Sequence, residues 1–315
     1  MVLNYIRYIF MESLSEYMER ALFNSIYGFY ENESLEDHFI TPSTLKTRYH
    51  EFLIKWIIKN NFRSILELGP GSARFASALK TYSDLSYLGV DRSKNTINRL
   101  KEQFKEYSHV SFSNDTVDSY DCIFVQEIFD CCPVNICEYF DDKIFEWMRD
   151  SDGSIKKSQL TNSRLEEYAK RLKKSRSISE ESFCFVDVEP HQHLITWLFK
   201  RTRQYCVIVD YGQQEPQYSQ LLGNHSPVRA FRNHQLFHNQ WNNPGQYDLT
   251  YDVNFTNLSE QWIALGGRVN YFASLAEFLI EKLDWHQIDP FSQERMLFDP
   301  RQLGSVFSVL ILSKA

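Results

Sequence analysis

Ser64-Ile65-Leu66-Glu67-Leu68-Gly69-Pro70-Gly71 is the stretch on which the reading of the fold turns. A short apolar run ends in two glycines around a proline, so it reads as a buried strand feeding a tight turn. Ser72 to Lys80 follows with helical spacing. Glycines at such a turn let the backbone approach a ligand closely, at the carboxyl end of a first strand. A third glycine is missing, because Ala73 stands where a G-x-G-x-G pattern would have it. Taken alone, the motif describes a bare turn as well as it describes a ligand cradle.

Outward from this stretch, strand and helix alternate. Leu85 to Val90 reads as a strand ending at Asp91. Ser93 to Tyr107 reads as a helix with Ser93 near its N-cap and Ile97, Leu100 and Phe104 facing inward. His109 to Ser113 and Tyr120 to Val125 read as the third and fourth strands, and Tyr205 to Val209 as the fifth. Such β-α-β-α order predicts an α/β fold, a parallel sheet with helices on both faces. Upstream, residues 12–23 and 44–60 have helical stripes, so residues 1–60 read as a helical N-terminal segment contributing to the mouth of a site. Residues 61–134, 183–212 and 300–315 are assigned to the core. Val306 to Leu312 supplies a last strand returning to the sheet.

Two stretches break the pattern. Residues 135–182 read as a charged insertion, with one helix around Arg164 to Lys174 that is either a solvated surface or a docking face for an acidic partner. Residues 213–299 read as a substrate cap, since a polar stretch this long is more than a connection. Within the cap, His225, Arg229, Arg232, His234 and His238 are candidate substrate or base residues.

Composition narrows the function. The 315 residues carry 34 Lys and Arg against 41 Asp and Glu, a net charge of −7, which gives no case for a nucleic-acid binder that neutralises phosphates. No run approaches the roughly 18 apolar residues of a membrane span, and the apolar start, Met1 to Phe10, lacks the cleavage site of a signal peptide. Met1 and Met11 are alternative natural starts. The six cysteines lack paired metal-site spacing, so no metal is expected, and a reduced, cytoplasmic compartment fits. Cys122 and Cys206 lie in strand-like runs and are expected to be buried thiols.

Asp91 strengthens the glycine turn. It lies about 20 residues after Gly71, where an acidic side chain accepts hydrogen bonds from ribose hydroxyls. A nicotinamide enzyme would use the same pair, and a plain helix-start aspartate would look the same. Asn114 and Asp115 follow the third strand, placed to meet an adenine amino group or simply to turn the chain. Gln126 and Glu127 close the fourth strand, and Asp130 comes three residues later. Two carboxylates at the mouth of a parallel sheet are costly to desolvate unless they meet a cation, and a guanidinium or sulfonium would serve. Asp130 as a structural cap is the rival reading.

These residues, with others in the same order, resemble the MidA-type methyltransferases, the family that includes the mitochondrial complex I assembly arginine methyltransferase. Tyr17-Met18, Ala21-Leu22 and Tyr27-Gly28-Phe29-Tyr30 look like its "YM..AL…GYY" segment. Asp37-His38-Phe39-Ile40-Thr41-Pro42-Ser43 is similar to "GDFITSPE", and Glu67 to Gly71 matches "ELGPG". Gln126 to Val134 looks like "NEFFDALPV", and Asp210-Tyr211-Gly212 matches "DYG". Val228 to His234, Pro244 to Phe255 and Leu303 to Phe307 are close to "LRAYRRH", "PGEQDLTAHVDF" and "MGxLF". Departures are Ser72-Ala73-Arg74 where the family has R-G-T, Gln126 for Asn, and Cys131-Cys132 for Ala-Leu.

The resemblance implies a Rossmann-like class I methyltransferase sheet with a helical N-terminal segment and inserted cap elements. It also implies S-adenosyl-L-methionine as cofactor, with Thr41, Pro42, Glu67, Gly69, Pro70, Gly71, Asp91, Asn114, Asp115 and Gln126 around it. Glu127, Asp130, His225 and His234 are the candidate catalytic residues. Three functions are open at this point. The first is methylation of arginine on a protein partner. The second is O- or N-methylation of a small molecule, with His225 or His234 as base. The third is a non-catalytic assembly factor that retains the fold. The expected partner is thus a protein or small-molecule methyl acceptor, with no nucleic acid and no membrane span, and a homodimer is among the assemblies considered.

Overall fold

The structure, a computed structural model, describes residues 11–32, 40–45, 47–176, 182–238, 240–289 and 291–315. Its centre is a sheet whose strands we number β1 (Ser64–Leu68), β2 (Ser86–Val90), β3 (Val110–Ser113), β4 (Tyr120–Gln126), β5 (Thr202–Gln213), β6 (Gly267–Ser274) and β7 (Phe307–Lys314). Their order is β3-β2-β1-β4-β5-β7-β6, with Val253–Asn254 added beside the end of β5. Strands β1 to β5 run parallel, while β7 is antiparallel to both of its neighbours. The order reverses at β1 and β4, and a ligand crevice is expected outside the carboxyl ends of the strands there. The expected α/β class is the observed one.

Side-chain alternation in each strand feeds two cores. Ile65, Tyr87, Phe124, Val207 and Val309 pack under helices drawn from Tyr49–Lys59, Arg74–Leu79, Lys94–Gln103 and Leu275–Glu281. Leu66, Ile123, Val125, Ile208 and Leu310 face the helices Glu189–Arg201 and Phe255–Ala264. Cys122 and Cys206 are buried in these layers as free thiols, as expected from their strand-like surroundings. Ser93 caps the Lys94–Gln103 helix through its hydroxyl, which accepts from the Thr96 amide at 3.1 Å. Ser13 and Glu16 form a capping box on the Leu14–Phe23 helix.

The stretch read as a charged insertion holds three strands as well as a helix. Ile136–Phe140, Lys143–Arg149 and Ile155–Leu160 pair antiparallel ahead of the single helix Ser163–Ser175. Ser182–Val186, assigned above to the core, pairs with Ile136–Phe140 instead. Two causes hid this second sheet. Ile155–Leu160 is mostly exposed, so it carries no apolar alternation. The first hairpin turns on Asp141-Asp142, both at positive φ, without the Asn-Gly or Asp-Gly pair that marks such turns. Three of the five cations of the helix are engaged within the chain: Arg164 with Asp187 and Glu189, Arg171 with Glu215 and Glu260, Lys173 with Asp142.

Two further placements differ from those expected. β6 and the helices on either side of it lie in the stretch read as cap, yet they complete the main sheet and its cores. The Tyr49–Lys59 helix, grouped with the N-terminal segment, packs Leu53, Ile54 and Ile57 into the core. The true cover of the sheet edge is smaller. It comprises the short helix Phe29–Asn32, the turn after Ile40, and a three-stranded sheet of Arg229–Arg232, Gln235–Phe237 and Asp248–Thr250.

Ala73 explains the missing glycine. It sits at φ 55°, ψ 40°, the left-handed conformation that glycine adopts without penalty, and it opens the Arg74–Leu79 helix. Left-handed backbone costs an L-residue about 1–2 kcal/mol. A glycine there loses about 0.4–1 kcal/mol through the unfolded chain, together with one buried methyl. These offset each other, so Ala73→Gly is expected to change stability by less than about 1 kcal/mol. Ala76→Gly, in right-handed helix three residues on, is expected to cost about 1–2 kcal/mol. Urea unfolding of both variants checks this, and equal losses would remove the strain argument.

Candidate active site

A cavity of about 1560 Å³ opens at the carboxyl ends of β1, β2, β4 and β5. Its floor is the Glu67–Gly71 turn. Gly69 and Gly71 take φ of 70° and 50°. A Cβ on Gly69 would stand 2.4 Å from the Ile128 side chain, whereas one on Gly71 would meet nothing within 4 Å. Gly69 therefore lets β1 and the Ile128 loop close together, and Gly71 leaves bare backbone open to an incoming group.

Acidic groups line the wall beyond the turn. Glu67 is buried and accepts from the Tyr87 hydroxyl. Burial raises its pKa to about 7, against the pull of that bond. Asp91 ends β2, lines the cavity and accepts from the Ser93 amide at 2.8 Å. Burial raises its pKa as well. Asn114 donates to the carbonyls of Asp91 and Arg92 at 3.0 and 3.4 Å, so it braces the end of β2 while lining the cavity. Asp115 accepts from the Thr116 amide at 2.7 Å, a turn role, and also reaches the cavity wall. Thr41 lines the cavity; Pro42 is buried beside it and does not. Of the family-like segment around them, Asp37 to Phe39 lie outside the described residues.

The far end of the cavity gathers three carboxylates. Glu127 has φ 54°, a strained backbone for a residue with a side chain, and such strain gathers at functional sites. Its carboxylate accepts from Gln126 at 2.9 Å and from the Tyr211 hydroxyl at 3.5 Å. Burial, with Asp130 adding to it, raises the Glu127 pKa to about 8. Asp130 is 5% exposed, and its Oδ2 accepts from Thr250 at 2.7 Å. Its other oxygen, Oδ1, has no hydrogen-bond partner among the described residues. Burial raises the Asp130 pKa to about 6. Asp248 accepts from the Tyr30 hydroxyl at 2.6 Å, and burial followed by the charge of Asp130 raises it to about 7.

The backbone that carries this cluster is fixed from below. Asp210 is fully buried at the end of β5. Its Oδ2 accepts from the amides of Ile128, Phe129 and Asp130 at 3.3, 2.9 and 3.4 Å, and its Oδ1 from Tyr211 at 2.9 Å. The first residue of the Asp210-Tyr211-Gly212 motif is thus an anchor for the loop, while Tyr211 enters the cavity.

His225 and His234 do not join the site. Both are exposed and neither lines the cavity. Asn233 and His234 are the two central residues of the hairpin between Arg229–Arg232 and Gln235–Phe237, and both have positive φ. His234 is therefore a turn residue on the outer tip of the cap. Of the neighbouring candidates, Arg229 lines the cavity and pairs with Asp252 at 3.0 Å, whereas Arg232 and His238 do not line it. Sequence reasoning missed Tyr30, Glu31, His50 and Asp248, all of which line the cavity. The Asp248-Leu249-Thr250 run lies inside a segment quoted for its family likeness, and that likeness was the one available signal for Asp248. His50 is buried, and desolvation lowers its pKa to about 4, so it is neutral.

Two crystal structures of COG1565 superfamily proteins from Burkholderia thailandensis, one bound to S-adenosyl-homocysteine and one native, share the architecture. The structure bound to S-adenosyl-homocysteine superposes with a TM-score of 0.78 at 20% identity, covering 96% of this chain and 88% of that one. The native structure gives 0.78 at 19% identity, covering 96% and 87%. At such identity the likeness establishes the shared fold. No curated protein matches the chain. Residues 52–272, well over half of the chain, match the family described as "Putative S-adenosyl-L-methionine-dependent methyltransferase". With this match, and with a sheet of the order described above, the chain belongs to that family of class I S-adenosyl-L-methionine-dependent methyltransferases, whose MidA type its motifs resemble.

Proposed function

We propose that the chain methylates a guanidinium nitrogen of arginine on a protein partner. One observation carries this reading: Glu127, Asp130 and Asp248 share one cavity, and Asp130 keeps a buried oxygen with no hydrogen-bond partner among the described residues. An unpaired buried acceptor is costly, and an incoming donor with positive charge removes that cost. No helix among the described residues is long and apolar enough to cross a membrane. The six cysteines are free thiols, which fits a reducing, cytoplasmic setting.

The residues present fit S-adenosylmethionine. The open backbone at Gly71 with Gly69 and Pro70 would hold its amino-acid portion together with Glu67, and Asp91 would accept from its ribose hydroxyls. Asn114 and Asp115 would border the adenine, and Thr41 and Gln126 the methyl end. When bound, it would supply an electrophilic methyl on a sulfonium sulfur, with the thioether as leaving group. The protein aligns the nucleophile. Asp130 and Glu127 take the guanidinium N–H donors in charge-assisted bonds. Glu127 accepts the proton that the nitrogen sheds, a task suited to a carboxyl whose pKa stands at about 8. An oxygen acceptor deprotonated by His225 or His234 finds no support, because those side chains lie outside the cavity.

Glu127→Gln is expected to lower kcat by about 10²–10³ while the affinity for S-adenosyl-homocysteine changes less than about twofold. Labelled methyl transfer and calorimetry test the two halves separately, and full turnover in this variant would overturn the carboxylate role.

The raised carboxyls set a pH dependence. Each binds its proton more tightly in the folded chain than in the unfolded one, where carboxyls titrate at about 4. Their contribution to stability is therefore complete below about pH 4 and is lost as pH rises through the folded values of about 6 to 8. The ligand-free protein is expected to lose thermal stability between pH 5.5 and 8.5, whereas methyl transfer should rise over the same range as the acceptor carboxylates ionise. Thermal melts and initial rates across that range provide the check; a Tm that climbs with pH would contradict it.

A further inference from the structure

We propose that Asp248, positioned by Tyr30, is a third acceptor carboxylate that selects a guanidinium over an ammonium group. The proposal rests on the arginine reading above and names the residue that gives it its selectivity.

Alternation along the Asp248–Thr250 strand carries the argument. Residues two apart share a face, and here that face meets the cavity: Asp248 and Thr250 line it, while Leu249 packs into the core of the smaller sheet. Thr250 holds Asp130 in place at 2.7 Å. Asp248 therefore stands on the element that orients the unpaired Asp130 oxygen, and brings a carboxylate from the cap to face those of the Glu127–Asp130 loop. It is 6% exposed, and the Tyr30 hydroxyl occupies its Oδ1 at 2.6 Å, which fixes the rotamer.

The electrostatics agree with a shared occupant. Asp130 raises the pKa of Asp248, and both Asp130 and Asp248 raise that of Glu127. Arg229 lowers that of Asp130; one of its Nη atoms pairs with Asp252, and its Nε has no hydrogen-bond partner among the described residues. Three carboxyls whose pKa values burial raises, two of them pushed further by the charge of Asp130, are relieved together by one delocalised cation. A guanidinium presents five N–H donors in a planar fork, enough for acceptors on two sides, whereas an ammonium presents three donors around a compact, strongly hydrated point charge. Acceptors from the loop on one side and from the cap on the other match the fork.

The test uses the full chain loaded with S-adenosyl-homocysteine and titrated calorimetrically with N-acetyl-arginine amide or N-acetyl-lysine amide. Wild type is expected to bind the arginine probe at least tenfold more tightly than the lysine probe. Asp248→Asn is expected to lose that preference, Asp248→Glu to restore part of it, and Tyr30→Phe to weaken arginine binding several-fold. All should retain S-adenosyl-homocysteine affinity, which reports that they are folded. In labelled methyl transfer to proteins of a cell lysate, Asp248→Asn should raise KM more than it lowers kcat. Equal arginine-probe affinity in wild type and Asp248→Asn would overturn the proposal, and arginine labelling by wild type in the same experiment would leave the parent reading standing. A wild type that binds neither probe and labels residues other than arginine would overturn both.

Discussion

One carboxylate fixes the geometry on which the rest of the site depends. Asp210, at the end of β5, receives four backbone N–H groups and thereby sets the turn from Glu127 to Asp130. The turn leaves β4 through a left-handed residue, Glu127, which the chain would not hold without such over-determination. Burial, with the charges of Asp130 and Glu127 adding to it, raises the pKa of Asp210 well above the ordinary carboxyl range, and the amide bonds oppose that rise. The acid cluster is therefore built on an acid, and the strand order that puts β4 beside β5 brings the anchor under the loop.

The parallel half of the fold was legible because its physics is local. Apolar runs of strand length, N-capping Ser93 and the Gly69–Gly71 turn each declare themselves within a few residues. The antiparallel sheet was not legible, because Ile155–Leu160, although it pairs with the adjacent Lys143–Arg149, has little apolar surface to advertise it. The site followed the same division. Glu67, Asp91, Glu127 and Asp130 sit at strand ends that the alternation predicts. Asp248 and Tyr30 arrive from stretches more than 200 residues apart, and their meeting is a property of the folded chain. The histidines failed for a related reason: a titratable side chain in a polar segment says nothing about which way it faces, and His234 turned out to serve a hairpin.

The cavity also shows how the family's pattern tolerates exceptions. Ala73 keeps the left-handed geometry that a glycine would supply, at a cost the surrounding helix and strand absorb. Cys131 and Cys132, in place of Ala and Leu, turn their sulfurs to the Ile128 carbonyl and become part of the loop. Burial raises both thiols far above the range in which they would ionise, so they add no charge to a wall already rich in it.

The helix Phe29–Asn32 is only four residues long, yet successive side chains on it touch both ends of the cavity. Tyr30 holds Asp248, and Glu31 accepts from Ser93 and Asn95 beside the end of β2. Both contacts reach the cavity wall from one four-residue element, so Tyr30 and Glu31 share a single backbone support. The cap and the end of β2 are thus tied to the same short helix, one through a hydroxyl and the other through a carboxylate.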